Sequence, residues 1–201
     1  MKEKEEAIQI LKSGDLVILP TETVYGIFAD ARNQKAVEKL YKVKGRSLDK
    51  ALNLNVADYE TILNYSKSPP DYLKKLVQSF LPGPLTLILK ANHKVPDWVN
   101  SGKTTVGFRL PSVLISQEII RELGLLVGPS ANLSERVSPL YFSDLSEEIL
   151  AESKLAIKDD SIQGLDTTIL DLTQIPVKIL RQGAITKEEL LEKVPEIKEI
   201  R

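Results

Sequence analysis

Residues 16–26 read LVILPTETVYG, an apolar run that changes abruptly into a polar segment. Leu16–Leu19 is short and rich in branched side chains, so it predicts a buried strand. The segment that follows, Pro20–Gly26, carries three hydroxyl side chains and one carboxylate. Because α/β proteins tend to place ligand sites at strand ends, this stretch is a candidate polar site beside the strand. The competing interpretation is a loop whose threonines bond their own backbone.

Helical and strand patterns alternate along the rest of the chain. Apolar spacing and capping residues predict a helix that stops at Gly14, helices over Gln34–Lys44, Tyr72–Phe80 and Ile115–Leu123, and a last helix from Thr186 with Glu189 completing a capping box. Short apolar runs predict strands at 51–56, 86–90, 105–110, 125–127, 155–158, 168–172 and 177–180. The alternation predicts one α/β domain over residues 1–201, built on an open, twisted, mixed sheet flanked by helices.

The composition restricts the possible chemistry. The 201 residues include no cysteine and one histidine, His93, which excludes thiol nucleophiles, cysteine-ligated zinc and multi-histidine metal centres. The formal net charge of −1 gives no support for tight, charge-driven binding to nucleic acid, although a local basic cleft stays open. The charged N-terminus and the lack of an apolar run of roughly 18 residues predict a cytoplasmic protein without a membrane contact.

Two polar segments each allow a structural and a functional interpretation. Lys42–Ser47 places three cations at the end of a predicted helix. They either complement the helix dipole or, with Gly45 allowing close approach, bind a polyphosphate. Ser130-Ala131-Asn132 follows a predicted strand and fits either an ordinary turn or a phosphate-binding loop.

Two further arginines, Arg109 and Arg181, end predicted strands, where an arginine is often merely an exposed strand terminus. Neither a Walker-type phosphate loop nor a Gly-x-Gly-x-x-Gly pattern is present in the sequence. If ATP binds, it therefore binds without either of these motifs.

Taken together and in order, these segments resemble the YrdC family, the threonylcarbamoyl-AMP synthases. The resemblance covers roughly residues 5–190 and rests on Pro20–Gly26, Lys44-Gly45-Arg46, Pro82-Gly83-Pro84-Leu85-Thr86, Phe108-Arg109-Leu110-Pro111, Ser130-Ala131-Asn132 and Leu180-Arg181-Gln182-Gly183. It implies a YrdC-like open sheet with a large, concave, positively lined face.

The resemblance also implies an activity. An L-threonylcarbamoyladenylate synthase makes threonylcarbamoyl-AMP and diphosphate from ATP, L-threonine and bicarbonate, with Mg²⁺ accompanying ATP. This is the first step of the t6A37 modification of tRNA, and the product would pass to a separate tRNA threonylcarbamoyl transferase complex.

By the same resemblance, two groups of residues form the site. The catalytic and nucleotide-binding group is Lys44, Arg46, Ser130 and Asn132, with Arg181 also lining the nucleotide site. The threonine-binding group is Thr21, Thr23, Tyr25, Arg109, Thr167 and Thr168. No dedicated protein motif for a metal is implied.

The sequence departs from the family pattern at Ser47, Ala51, Asn55 and Glu135, which concern loop stiffness and substrate-side contacts. In an alternative function, the same concave face would serve an RNA-binding or ribosome-associated module without catalysis. A weak contact with tRNA or other RNA is compatible with either function. A carbamoyl-transfer domain of hydrogenase maturation is disfavoured, because such domains lie beside zinc-binding modules and this chain has no cysteine.

Overall fold

A computed structural model describes residues 2–160 and 164–201, which form eight α-helices and nine strands. The helices are α1 (Lys2–Lys12), α2 (Gln34–Lys44), α3 (Tyr59–Tyr65), α4 (Leu73–Phe80), α5 (Asp97–Asn100), α6 (Leu114–Leu123), α7 (Glu147–Glu152) and α8 (Lys187–Lys193). The strands are β1 (Val17–Leu19), β2 (Gly26–Asp30), β3 (Asn53–Asn55), β4 (Leu85–Lys90), β5 (Thr105–Arg109), β6 (Leu126–Val127), β7 (Leu155–Ala156), β8 (Thr168–Asp171) and β9 (Lys178–Arg181).

The nine strands form one mixed sheet in the order β7-β1-β2-β6-β3-β5-β4-β8-β9. The pairs β1–β7, β3–β5 and β4–β8 are parallel, and the other five neighbouring pairs are antiparallel. The predicted open, mixed sheet flanked by helices is confirmed.

Most predicted elements lie within a few residues of their predicted bounds, and α2 has the bounds that the sequence predicts. Four elements were not predicted: β2, α3, α5 and α7. Strand β2 is buried along almost its whole length and so lacks the alternation that marks a strand with one exposed face. The three helices have seven residues or fewer, too few to show a helical period.

One face of the sheet is covered by helices along its whole width. Side chains alternate between the two faces of a strand, so Ile18, Leu54, Leu87 and Phe108 all point into the same large core. Helices α2, α3, α4, α5, α7 and α8 contribute apolar side chains to that core. This face supplies most of the apolar burial that holds the fold together.

The opposite face is covered over only part of its width. There α1 and α6 pack on β1, β2 and β6, burying Val17, Leu19 and Phe28 in a second, smaller core. Within the described ranges, no other helix contributes to this second core. On the same face, β3 and β5 carry Asn53 and Arg109, so a polar half of the sheet lies beside the apolar half.

None of the helices in the described part of the chain is long and apolar enough to cross a membrane.

Candidate functional site

A concave cavity lies on the polar half of the second face. Its volume is about 220 Å³. Three arginines and one aspartate are the charged side chains among its lining residues, so the cavity is positively lined, as predicted. The lining residues are Thr23, Val24, Arg46, Asn53, Arg109, Gly128, Pro129, Ser130, Ser138, Asp166, Thr167, Ile169 and Arg181.

The cavity brings together about half of the predicted site residues. Those that line it are Thr23, Arg46, Arg109, Ser130, Thr167 and Arg181. Those that are not among its lining residues are Thr21, Tyr25, Lys44, Asn132 and Thr168.

Arg109, at the end of β5, is fixed by a buried carboxylate. Its Nη2 donates to Glu22 Oε1 at 2.6 Å and to Thr23 Oγ1 at 3.3 Å. The other carboxylate oxygen of Glu22 accepts the backbone N–H of Ser112 at 2.9 Å. Both charged residues are less than a tenth exposed, so Glu22 orients the guanidinium and balances its charge. This role of Glu22 was not predicted, because its only signal in the sequence is a lone carboxylate between two threonines.

Unpaired polar atoms lie next to this ion pair. Asn55 is fully buried on β3, directly beside Arg109 in the parallel β3–β5 pair. Within the described part of the chain, Asn55 Oδ1, Asn55 Nδ2 and Arg109 Nε have no hydrogen-bond partner. Buried polar groups are normally paired, so this donor and acceptor set is a place for an ordered water, and Asn55 itself is not among the lining residues of the cavity.

Arg46 reaches the cavity because α2 ends just before it. Gly45 adopts the left-handed conformation at φ 57°, and the N–H of Arg46 bonds to Tyr41 O at 2.9 Å. This is the usual glycine termination of a helix. The side chain is then held by two carbonyl groups, Nε to Lys50 O at 3.0 Å and Nη2 to Ala51 O at 2.9 Å.

Arg181, at the end of β9, lies across the cavity and is held by the segment before β8. Its Nε donates to Thr167 O at 3.1 Å and its Nη2 to Thr167 Oγ1 at 2.7 Å. Asp166 forms an ion pair with Nη1 at 3.5 Å. Thr86 donates to the same hydroxyl of Thr167 at 3.1 Å, which links β4 to this group.

Lys44 lies under the loop that follows β6. Its Nζ donates to the carbonyl oxygens of Ser130 and Asn132 and to Asn132 Oδ1, the last at 3.2 Å. Ser130 Oγ donates to the same Asn132 Oδ1 at 2.5 Å. Burial, with the charge of Arg46 as a smaller cause, lowers the pKa of Lys44 to about 8.

The other three residues outside the cavity bond within the protein. Thr21 Oγ1 donates to Val24 O at 2.6 Å, and Thr168 Oγ1 donates to Ile185 O at 2.6 Å. The hydroxyl of Tyr25 donates to Asp159 O at 2.8 Å, and burial raises its pKa to about 12. Their hydroxyl groups hold loops around the cavity in place.

Three polar lining residues were not among the predicted site residues: Asn53, Ser138 and Asp166. Asn53 could have been predicted from the pattern of β3. Polar Asn53 and Asn55 alternate there with apolar Leu54, which places both asparagines on the second face. Ser138 and Asp166 lie in loops, where no periodic pattern marks them.

The centre of β5 is closely covered by Asn53, one of the lining residues of the cavity. A Cβ atom at Gly107 would lie 2.1 Å from Oδ1 of Asn53, the lining residue beside it. Such a distance is far below van der Waals contact, so the position has no room for a side chain beside Asn53.

The described residues contain no group of three or more His, Cys, Asp or Glu side chains that could hold a metal ion.

A protein-family model named Sua5_yciO_yrdC, described as telomere recombination, matches residues 9–183. The chain belongs to the Sua5/YciO/YrdC family. The predicted family membership is thus confirmed, and it accounts for the order of motifs along the chain.

Relatives and solved structures of the Sua5/YciO/YrdC family agree with this assignment. The threonylcarbamoyl-AMP synthase of Pyrococcus abyssi is 34% identical over 195 residues, covering 96% of this chain and 57% of that protein. A putative threonylcarbamoyl-AMP synthase of Methanocaldococcus jannaschii is 35% identical over 196 residues, covering 94% of this chain and 91% of that protein. The crystal structure of P. abyssi Sua5 complexed with L-threonine superposes with a TM-score of 0.91 at 33% identity, covering 98% of this chain and 58% of that one.

The chain thus spans little more than half the length of some of these relatives.

Proposed function

We propose that this protein is an L-threonylcarbamoyladenylate synthase, which converts ATP, L-threonine and bicarbonate into threonylcarbamoyl-AMP and diphosphate. The observation that carries the proposal is the convergence of Arg46, Arg109 and Arg181 on one hydroxyl-lined cavity. Relatives named for this activity match the chain over nearly its whole length. The reaction would be the first step of the t6A37 modification of tRNA.

The nucleotide is proposed to lie against Arg46, Arg181 and Ser130. Guanidinium groups suit phosphate oxygens in geometry and charge. Lys44 and Asn132 complete the predicted nucleotide group and lie directly behind Ser130. A volume of about 220 Å³ is less than the roughly 300–1,000 Å³ of common ligand pockets, so the cavity suits the reacting groups. The remainder of the nucleotide would lie along the open face.

L-Threonine is proposed to bind on the Arg109 side of the cavity. Arg109 and Thr23 line that region and offer donors and acceptors for a carboxylate, an amine and a hydroxyl group. Thr167 stays in the predicted threonine-binding group, although its own bonds run to Arg181. The unpaired Nε of Arg109 is a further donor on this side, and the buried amide of Asn55 lies next to Arg109 in the β3–β5 pair. The assignment of Thr21, Tyr25 and Thr168 to threonine binding stays a prediction, in which they act by holding the loops around the substrate.

The proposed chemistry balances in two steps. The amine of threonine forms a C–N bond with the carbon of bicarbonate, and water leaves to give N-carboxythreonine. A carboxylate oxygen of that intermediate then attacks the α-phosphorus of ATP, and the P–O bond to diphosphate breaks. Negative charge increases on phosphate oxygens in the second step, where Arg46 and Arg181 would stabilise it electrostatically.

Mg²⁺ belongs to this proposal as the counter-ion of ATP, where it would neutralise phosphate charge. Asp166 is the single carboxylate among the cavity-lining residues, so the phosphate oxygens would supply most of the ligands.

The remaining parts of the proposal concern the setting in the cell. We place the protein in the cytoplasm. The chain has no cysteine, so its stability does not depend on disulfide bonds that a reducing environment would break. The product is proposed to pass to a tRNA threonylcarbamoyl transferase complex, and any direct contact with RNA would be weak.

Diphosphate release from ATP and Mg²⁺, with threonine and bicarbonate each present or omitted, tests the proposal. We expect release that requires both, and a fall of about 10²–10³ in rate for Arg46→Ala, the usual loss for one charged transition-state contact. Arg121→Ala, an exposed arginine on α6, is the matched control and should behave as wild type. Folded protein that releases no diphosphate, yet binds RNA in a strongly salt-dependent way, would instead favour the RNA-binding module.

A further inference from the structure

Lys44 is a buried cation at the end of α2, two residues before Arg46 but in different surroundings. We propose that Lys44 is a positioning residue, whose ammonium group holds the Ser130–Asn132 loop at the edge of the cavity and does not itself touch the substrates. The proposal rests on the proposed function and assigns Lys44 a different task within it.

The hydrogen bonds of Lys44 account for its whole ammonium group. A lysine ammonium has three N–H donors. Here three acceptors lie around it: the carbonyl oxygens of Ser130 and Asn132, and Asn132 Oδ1. Lys44 is 3% exposed and is not among the cavity-lining residues. No donor of Lys44 is therefore left to reach a phosphate while the loop keeps this conformation.

The loop that Lys44 holds is part of the cavity wall. Ser130 lines the cavity, and its Oγ donates to the same amide oxygen of Asn132 that accepts from Lys44. The backbone of Lys44 binds the loop a second time, since its carbonyl group accepts the N–H of Ser134 at 2.8 Å. Ser130 is thus fixed through Asn132 and Lys44 as a unit.

Arg46 differs from Lys44 in its surroundings, although the two residues belong to the same motif. It lines the cavity, and its bonds run to Lys50 O and Ala51 O on its own side of the cavity. Of the two cations in this motif, Arg46 faces the proposed ligand and Lys44 faces the protein. A substitution at each should consequently give a different kinetic result.

Rescue by an added amine tests the proposal. In Lys44→Ala, we expect kcat for diphosphate release to fall about 100-fold or more, and the backbone amide resonances of residues 130–134 to shift. Ethylammonium is smaller than the atoms that the substitution removes, so it fits the space left by the side chain. It should restore part of kcat in a saturable manner and return those resonances toward their wild-type positions. Lys42→Ala, an exposed lysine in the same last turn, should match wild type in both measurements.

Other outcomes would overturn either the positioning role of Lys44 or the proposed synthase activity. A higher KM for ATP in Lys44→Ala, with the loop resonances unmoved, would mean that Lys44 contacts the nucleotide directly. If Lys44→Ala does not fold, Lys44→Met keeps the aliphatic stem, and a wild-type kcat in that variant would likewise exclude the positioning role. Wild-type protein that releases no diphosphate, while the loop resonances still respond to Lys44→Ala and to ethylammonium, would refute the proposed synthase and leave the loop contact in place.

Discussion

At the scale of single residues, the buried side chain of Asn55 lowers the stability of the folded protein. Its amide is fully buried and makes no hydrogen bond within the described residues, and an unmet buried polar group typically costs about 1–3 kcal/mol. We expect Asn55→Leu, which has a similar shape, to raise the free energy of unfolding by about 1 kcal/mol and to lower kcat/KM for threonine. Urea denaturation and diphosphate release measure the two effects.

Asn100→Leu is the matched control for that substitution. Asn100 is also buried with an unpaired oxygen, but its Nδ2 donates to Lys103 O and Thr105 O. The same change there should lower stability. An Asn55→Leu protein that is less stable and fully active would contradict the assignment of Asn55 to the ligand side.

Glu22 gives a second prediction at this scale, because it is the buried partner of Arg109. Removing one member of a buried pair leaves the other charge uncompensated, which typically costs about 3–5 kcal/mol. Glu22→Ala should therefore lower the free energy of unfolding by that amount. Glu196→Ala breaks an exposed pair with Lys75 of nearly equal length, 2.8 Å, and should cost about 1 kcal/mol or less. Equal losses in the two variants, measured by urea denaturation, would argue against a buried role for Glu22.

At the scale of secondary structure, the end of α2 decides where Arg46 emerges. Gly45 has φ 57°, and a Cβ atom there would meet nothing within 4 Å. A side chain at this position would therefore cause only backbone strain. Gly45→Ala should lower the free energy of unfolding by about 1–2 kcal/mol, and Gly45→Asn should lower it by less. Gly128→Ala should cost more, since its Cβ would lie 2.2 Å from the Phe28 ring. Thermal unfolding of the three variants would show a different order if strain at Gly45 were relieved by a shift of the helix end.

Secondary structure was largely predictable from the sequence, whereas the tertiary contacts of the polar motifs were not. Helices of eight or more residues and the mixed sheet were recovered from apolar spacing and capping residues, as at Gln34–Lys44. The order of polar motifs predicted the family correctly. The partners of those motifs were not predictable, because they are tertiary: Glu22 and Arg109 are 87 residues apart. Lys44 and Ser130 are 86 residues apart.

At the scale of the whole molecule, the second face of the sheet divides into a half covered by α1 and α6 and a half that carries the cavity. Leu11 is fully buried in the covered half. Leu11→Ala should lower the free energy of unfolding by about 2–5 kcal/mol through the cavity it leaves, with KM for ATP near the wild-type value. Lys12→Ala, exposed on the same helix, is the control. A large rise in KM for ATP in Leu11→Ala at a temperature where it stays folded would mean that the two halves are coupled.

The alternation along β3 and β5 has an evolutionary consequence. Leu54 and Phe108 face the large core, while their neighbours Asn53, Gly107 and Arg109 face the cavity side. Mutation at Asn53 can therefore change the cavity wall while Leu54 and Phe108 go on maintaining the core. Gly107, which has no room for a side chain, and Arg109, which is paired with Glu22, do not have this freedom. Within a few consecutive codons, residues that shape the ligand site thus alternate with residues that maintain the large core, and a directed-evolution library at Asn53 would vary the cavity wall without changing that core.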